Sequence, residues 1–187
     1  MSAILEIPEV RRRVSPLSVE EYHRLSEFNE NGRRTELIRG IIIEKMSKSP
    51  LHSSLAKRLY DWIASILPDG FIMRREDPLT LQDSEPEPDI AVVRGREEDF
   101  MKVHPSTAEL VIEVAVSSAA LDRENASLYA EAGVSEYWIV LARERQVELY
   151  RQPENGHYAE KRLASYEEVL ECKTVPGLRV RFADIIG

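Results

Sequence analysis

Apolar positions along this chain change their period several times, and each change marks an element. After Ser49-Pro50 they fall at Leu51, Leu55, Leu59, Ile63 and Ile66–Leu67. Steps of four gather them on one stripe of a helix, which Pro68-Asp69-Gly70 ends. Upstream, Ser18-Val19-Glu20-Glu21 has the form of a capping box, so a short helix is expected to run to about Asn29 and close at Asn31-Gly32. The β-branched stretch from Thr35 to Glu44, broken at Arg39-Gly40, predicts a hairpin or bent strand pair. Short strands are expected at 71–75 and 78–82, and Glu85-Pro86-Glu87-Pro88 forms an extended entry to a strand over 89–93.

The second half is easier to place. Leu110 to Val116 is apolar except for Glu113, the pattern of a strand covered on both faces. A helix from about Leu121 to Ala132 ends at Gly133, and Glu136 to Leu141 is a second buried strand. Strand, helix, strand over 108–141 makes a βαβ crossover, so part of the sheet is parallel. Residues 146–163 read as a hairpin around Pro153-Glu154-Asn155-Gly156, and 169–182 adds one or two short strands. Residues 1–16 carry no period and read as an N-terminal arm. The expectation is one α/β domain over 1–187 with a mixed sheet.

Composition narrows the function. With 25 Lys and Arg against 33 Asp and Glu, the net charge is −8, which argues against coating nucleic acid through bulk positive charge. A local patch with a bound cation stays open, and Arg11-Arg12-Arg13, Arg33-Arg34 and Arg74-Arg75 are the basic clusters available for DNA. The single cysteine, Cys172, forms no internal disulfide and reads as a packed small hydrophobe. No apolar run approaches membrane-spanning length, and the first residues do not form a secretion signal. A cytoplasmic protein without membrane contact is expected.

Two acids sit where acids are costly. Glu113 interrupts an apolar strand, and Asp89 begins Ile90-Ala91-Val92-Val93. A buried carboxylate needs a partner or a cation. Neither strand carries a lysine, so the pair forms a candidate site for Mg²⁺ or Mn²⁺; arginine partners from elsewhere, or a place at a frayed strand end, are the alternative. Glu36 is a third candidate, although by itself it reads as a surface acid paired with Arg33, Arg34 or Arg39. His52 could cap the long helix or contact phosphate.

These residues carry a resemblance. Glu85-Pro86-Glu87-Pro88-Asp89, the run Glu109 to Val114, Ser117-Ser118, Asp122-Arg123, and Tyr129 through Gly133-Val134-Ser135-Glu136-Tyr137-Trp138 to Val140 resemble the Uma-two-type restriction endonuclease family. The segments Thr35–Gly40 and Met46–His52 resemble its N-terminal motifs, so the likeness runs from about Ser18 to the C-terminus. It implies a restriction-endonuclease-like mixed β-sheet flanked by helices, here with a C-terminal β-hairpin extension, and a PD-(D/E)xK nuclease site. Asp89 and Glu113 match its catalytic and metal-holding acids, and Glu36 matches a further metal-holding glutamate.

The lysine of that pattern is missing. Two residues after Glu113, on the same strand face, stands Ala115. Family members also carry the lysine on the following helix, and there the matching residue is Asn125. Leu121, Asn125, Leu128, Tyr129 and Ala132 share a helical stripe, so Asn125 is expected to face the sheet and the two acids. Asparagine can position water but brings no charge. Arg123, Lys45 or Lys48 could compensate, and Arg123 and His52 are candidate substrate contacts.

The resemblance therefore implies a metal-dependent DNA endonuclease, with Mg²⁺ or Mn²⁺ as cofactor and a site weakened by the lost lysine. An inactive nuclease-fold binding or assembly module is the alternative. A hydrolase of small phosphate esters is less consistent, because no glycine-rich phosphate loop is present. A homodimer is expected from Val147, Leu149, Tyr158 and Leu163, which need cover, and from the two strands of a duplex substrate.

Overall fold

Helical and alternating periods translate into the elements of a computed structural model that describes residues 8–11, 13–25, 34–117 and 119–186. Its internal contacts divide the chain into two units, Met1–Lys45 with Leu81–Pro86, and Met46–Thr80 with Glu87–Gly187.

The smaller unit holds α1 (Pro8–Arg11), α2 (Val19–Arg24), β1 (Thr35–Ile38) and β2 (Ile41–Glu44). The capping box forms: Ser18 Oγ accepts from the Glu21 amide at 3.2 Å, and the Ser18 amide donates to Glu21 Oε2 at 2.8 Å. The helix then stops at Arg24, short of the expected Asn29, because the Leu25 amide bonds to the carbonyls of both Tyr22 and Glu21 and tightens the last turn. Asn29, Asn31 and Gly32 lie outside the described residues, as do Arg12, Arg33 and Ser118.

β1 and β2 pair as the expected hairpin, with Ile38 opposite Ile41. Its two-residue turn places Arg39 at φ 53° and Gly40 at φ 72°, the left-handed pair that matches strand twist. A Cβ on Gly40 would lie 2.3 Å from Pro16 Cβ, so space as well as backbone requires glycine there. Leu37 and Ile38 are buried by this arrangement.

The larger unit begins with α3 (Pro50–Ile66) and β3 (Phe71–Arg74), and continues with β4 (Ile90–Arg94), β5 (Leu110–Ala115), α4 (Ala120–Glu131) and β6 (Glu136–Leu141). A long hairpin, β7 (Gln146–Glu154) and β8 (His157–Ser165), follows; then come β9 (Val169–Glu171), β10 (Arg179–Arg181) and α5 (Phe182–Ile186). Six strands form one sheet in the order β3-β4-β5-β6-β7-β8, and β9 pairs with β10 alone. Only β5 and β6 run parallel, as the α4 crossover requires; the other pairs in the sheet are antiparallel. The mixed sheet flanked by helices is therefore as expected.

The α3 stripe seats Leu55, Leu59 and Ile63 in a core with Ile90, Ile112, Val114, Trp138 and Val140, closed by Phe182 and Ile185 of α5. Each such side chain contributes about 1.5–3 kcal/mol on burial. Leu51, expected on that stripe, is exposed in the first turn. Residues 78–82 form no strand. Leu79 and Leu81 are buried, but the Thr80 amide bonds to the Pro105 carbonyl and Leu81 turns back onto Ser84.

In the hairpin, Asn155 at φ 50° and Gly156 at φ 79° form the predicted turn. Val147 and Leu149 are buried within the chain itself, and the Tyr158 hydroxyl donates to the Val134 carbonyl at 2.9 Å. Leu163 stays exposed.

Candidate active site

Antiparallel pairing of β4 with β5 sets Ile90 opposite Ile112 and brings Asp89, one residue ahead of the strand, beside Glu113. The Asp89 amide donates to Glu113 Oε2 at 3.0 Å, and the Val114 amide donates to Asp89 Oδ2 at 2.8 Å. Each acid is thereby tied to the other's backbone. Pro86 and Pro88 keep the residues before them out of the helical region, so the chain runs extended up to Asp89 and β4.

Helix α3 supplies the partners of Asp89. Ser49 caps it, accepting from the His52 amide at 3.1 Å, and this fixes both the helix start and the residue before the cap. One turn in, His52 Nε2 lies 2.9 Å from Asp89 Oδ2. Lys48 Nζ lies 2.6 Å from Asp89 Oδ1 and 3.1 Å from Glu76 Oε1. His52 thus serves the carboxylate rather than the helix cap. His52 Nδ1 is buried with no hydrogen-bond partner among the described residues.

Asp89 is only 5% exposed. Burial pushes its pKa up, but the hydrogen bond from His52 and the charge of Lys48 outweigh it and hold the group at about 2, below its ordinary 3.8. A carboxyl depressed on folding stabilises the fold above its unfolded pKa and loses that contribution as pH falls through the folded one. In metal-free protein about 2 kcal/mol should therefore disappear between pH 4 and pH 2. Urea unfolding of the wild type and of Asp89→Asn across that range measures it: the two stability curves should converge as the pH falls, and parallel curves would contradict the assignment.

Glu113 is half-buried on the sheet face that α4 covers, and the Tyr129 hydroxyl donates to its Oε1 at 3.4 Å. Tyr137, fully buried nearby, has its pKa pushed well up by burial and then by the Glu113 charge. Asn125 is buried on the same stripe of α4 as Tyr129, one turn nearer the helix start. Ala115 leaves the place of the missing lysine apolar. Leu121, expected on the stripe, is exposed.

Other candidates have partners of their own. Arg123 gives both Nε and Nη2 to Glu148 Oε1, at 3.0 and 2.6 Å. Glu36 belongs to the smaller unit, where Lys45 Nζ lies 2.8 Å from its Oε1 and both side chains are largely buried. Its side chain is thus largely buried rather than on the surface, and a lysine from the end of the neighbouring strand is among its partners. Glu76 had no sequence signal at all, since it follows Arg74-Arg75 in what reads as an ordinary charged loop. Arg75 Nε lies 3.8 Å from Glu76 Oε1, which makes Arg74-Arg75 the basic cluster adjacent to these acids.

The donor set fits a hard divalent cation. Two carboxylates on adjacent strands offer oxygen only, the preference of Mg²⁺ and Mn²⁺. Among the described residues no group of three or more His, Cys, Asp or Glu side chains is arranged to hold a metal. A metal here would take its remaining ligands from water and substrate oxygens, which is the habit of Mg²⁺.

The fold is similar to that of a solved protein from Anabaena variabilis ATCC 29413, described as "a putative nuclease belonging to DUF820". The two are 21% identical over 91% of this chain and 98% of that chain, with a TM-score of 0.76, so they share a fold. The sequence profile of the Uma2 family, described as "Putative restriction endonuclease", matches residues 19–183. This chain belongs to that family. No curated protein matches it. No helix among the described residues is long and apolar enough to cross a membrane.

Proposed function

We propose that this chain is a metal-dependent endonuclease that hydrolyses phosphodiester bonds in DNA, with Asp89 and Glu113 as the acids that would hold Mg²⁺ or Mn²⁺. The observation that carries the proposal is the placing of two carboxylates side by side where β4 begins against β5, Glu113 accepting from the Asp89 amide and Asp89 from the Val114 amide. When bound, the metal would lower the pKa of a water and neutralise charge on the phosphate. The chain's own part is to fix the two carboxylates, to keep Asp89 ionised through His52 and Lys48, and to offer hydrogen bonds to an ordered water. In the net reaction the water oxygen forms a bond to phosphorus while the bond from phosphorus to the leaving oxygen breaks. One water proton ends on the leaving alkoxide and the hydroxyl stays on phosphorus.

A second reading, a non-cleaving module on the same scaffold, is favoured by one observation: Ala115 and Asn125 stand where the nuclease pattern carries its lysine. Titrating Mn²⁺ into the purified protein and following nicking of supercoiled plasmid separates the two. An endonuclease binds the ion and nicks, with activity falling steeply as salt rises because phosphate contacts release counterions. Binding without cleavage in Mg²⁺, Mn²⁺ or Co²⁺ would favour the module.

A further inference from the structure

We propose that Lys48 supplies the cation of this site, in place of the lysine absent from Ala115 and Asn125; the proposal rests on the nuclease reading above. Three cations could have taken over that role, and their partners separate them. Arg123 is committed to Glu148 through two of its nitrogens. Lys45 is committed to Glu36 in the smaller unit. Lys48 Nζ alone of the three sits on Asp89, at 2.6 Å.

The local chain explains why Lys48 can do this. It immediately precedes the Ser49 cap, whose extended backbone (φ −67°, ψ 156°) turns the chain into α3. Lys48 and His52 thus approach one carboxylate from the two sides of a helix start, one on each oxygen. Glu76 gives the ammonium a second anchor at 3.1 Å, so it remains at the site when Asp89 turns to another cation. The Lys48 side chain is 21% exposed, which leaves it open to an incoming phosphate. An ammonium there stabilises charge developing on the phosphate oxygens in the transition state. This places the helper charge on the segment before α3 rather than on β5 or α4.

The test compares the wild type, Lys48→Met and the double variant Lys48→Met/Asn125→Lys. Three measurements are made: single-turnover plasmid nicking, Mn²⁺ affinity by titration, and metal-free melting temperature. Lys48→Met should nick about a hundredfold slower yet bind Mn²⁺ at least as tightly as the wild type, because a like charge beside the ion has gone. The double variant should recover at least about tenfold of the lost rate, since it returns an ammonium to the position of the nuclease pattern. Lys48→Gln serves in the same assays should Lys48→Met fail to fold. If the wild type binds Mn²⁺ and nicks, and Lys48→Met nicks at the same rate, Lys48 is not the helper and the nuclease reading stands. A Lys48→Met protein that loses Mn²⁺ binding together with rate would also overturn the proposal, by making Lys48 a scaffold residue. If the wild type neither binds Mn²⁺ nor nicks, the nuclease reading fails and the role of Lys48 falls with it.

Discussion

Asp89→Asn should slow plasmid nicking about a thousandfold or more, because a neutral amide neither holds a divalent cation firmly nor orders the charges around it. The substitution keeps size and shape, and the amide oxygen can still accept from Val114, so the β4–β5 pairing should survive. The carboxylate oxygens that face Lys48 and His52 are lost as a charged pair, and one becomes an amide donor pointing at donors. Mn²⁺ affinity should fall with the rate, whereas Lys48→Met lowers rate alone. Titration and single-turnover nicking at a temperature where both proteins are folded make the comparison. An Asp89→Asn protein that nicks within tenfold of the wild type would remove Asp89 from the chemistry.

Much of the scaffold is legible in the sequence, for identifiable reasons. The four-step stripe of α3, the apolar runs of β5 and β6, and the Asn155-Gly156 turn are local patterns, and local patterns survive folding. The hairpin at Arg39-Gly40 is readable because a left-handed turn leaves glycine as its mark. The strand expected over 78–82 fails because buried Leu79 and Leu81 alternate whether the backbone between them pairs with a strand or, as here, with turns. The short helix α5 had no capping signal to announce it.

The site divides in the same way. Glu113 is conspicuous because an acid inside an apolar strand breaks a local pattern, and Asp89 because prolines frame it. Their proximity follows once the strands are taken as neighbours. The partners of Asp89 are another matter. Lys48 and His52 come from a helix start far earlier in the chain, and Glu76, which anchors Lys48, from the loop between β3 and β4; their own neighbourhoods do not say which carboxylate they meet. Convergence of that kind is a property of packing. Asn125 is intermediate: its burial on the α4 stripe is readable, while its relation to the acids remains the subject of the double-variant test.

Another buried carboxylate shows that burial alone does not make a functional acid. Glu136 is 1% exposed at the start of β6. Its Oε2 accepts from Trp138 Nε1 and Arg151 Nε, both at 2.9 Å, and its Oε1 accepts from the Lys173 amide. Arg151 Nη2 in turn reaches the Glu171 carbonyl, so the cluster ties β6 and β7 to the segment around β9. Unlike Asp89, whose partners are a lysine and a histidine at a helix start, Glu136 spends both oxygens on rigid donors within the sheet and its tail. Glu136→Ala should therefore cost about 3 kcal/mol of stability, because it takes from a mostly buried arginine its nearer carboxylate, leaving only Glu160 at 3.9 Å, and leaves an indole N–H without an acceptor. Glu136→Gln, which keeps the shape and one acceptor, should cost less. Nicking per folded molecule should be unchanged in both, since Glu136 lies level with Leu110, three residues along β5 from Glu113, and its oxygens are taken up by Trp138, Arg151 and Lys173. Urea unfolding with the assay repeated at low temperature checks this. A Glu136→Ala protein as stable as the wild type would mean that Arg151 finds its compensation elsewhere, and that the cluster is not what holds the C-terminal segment to the sheet.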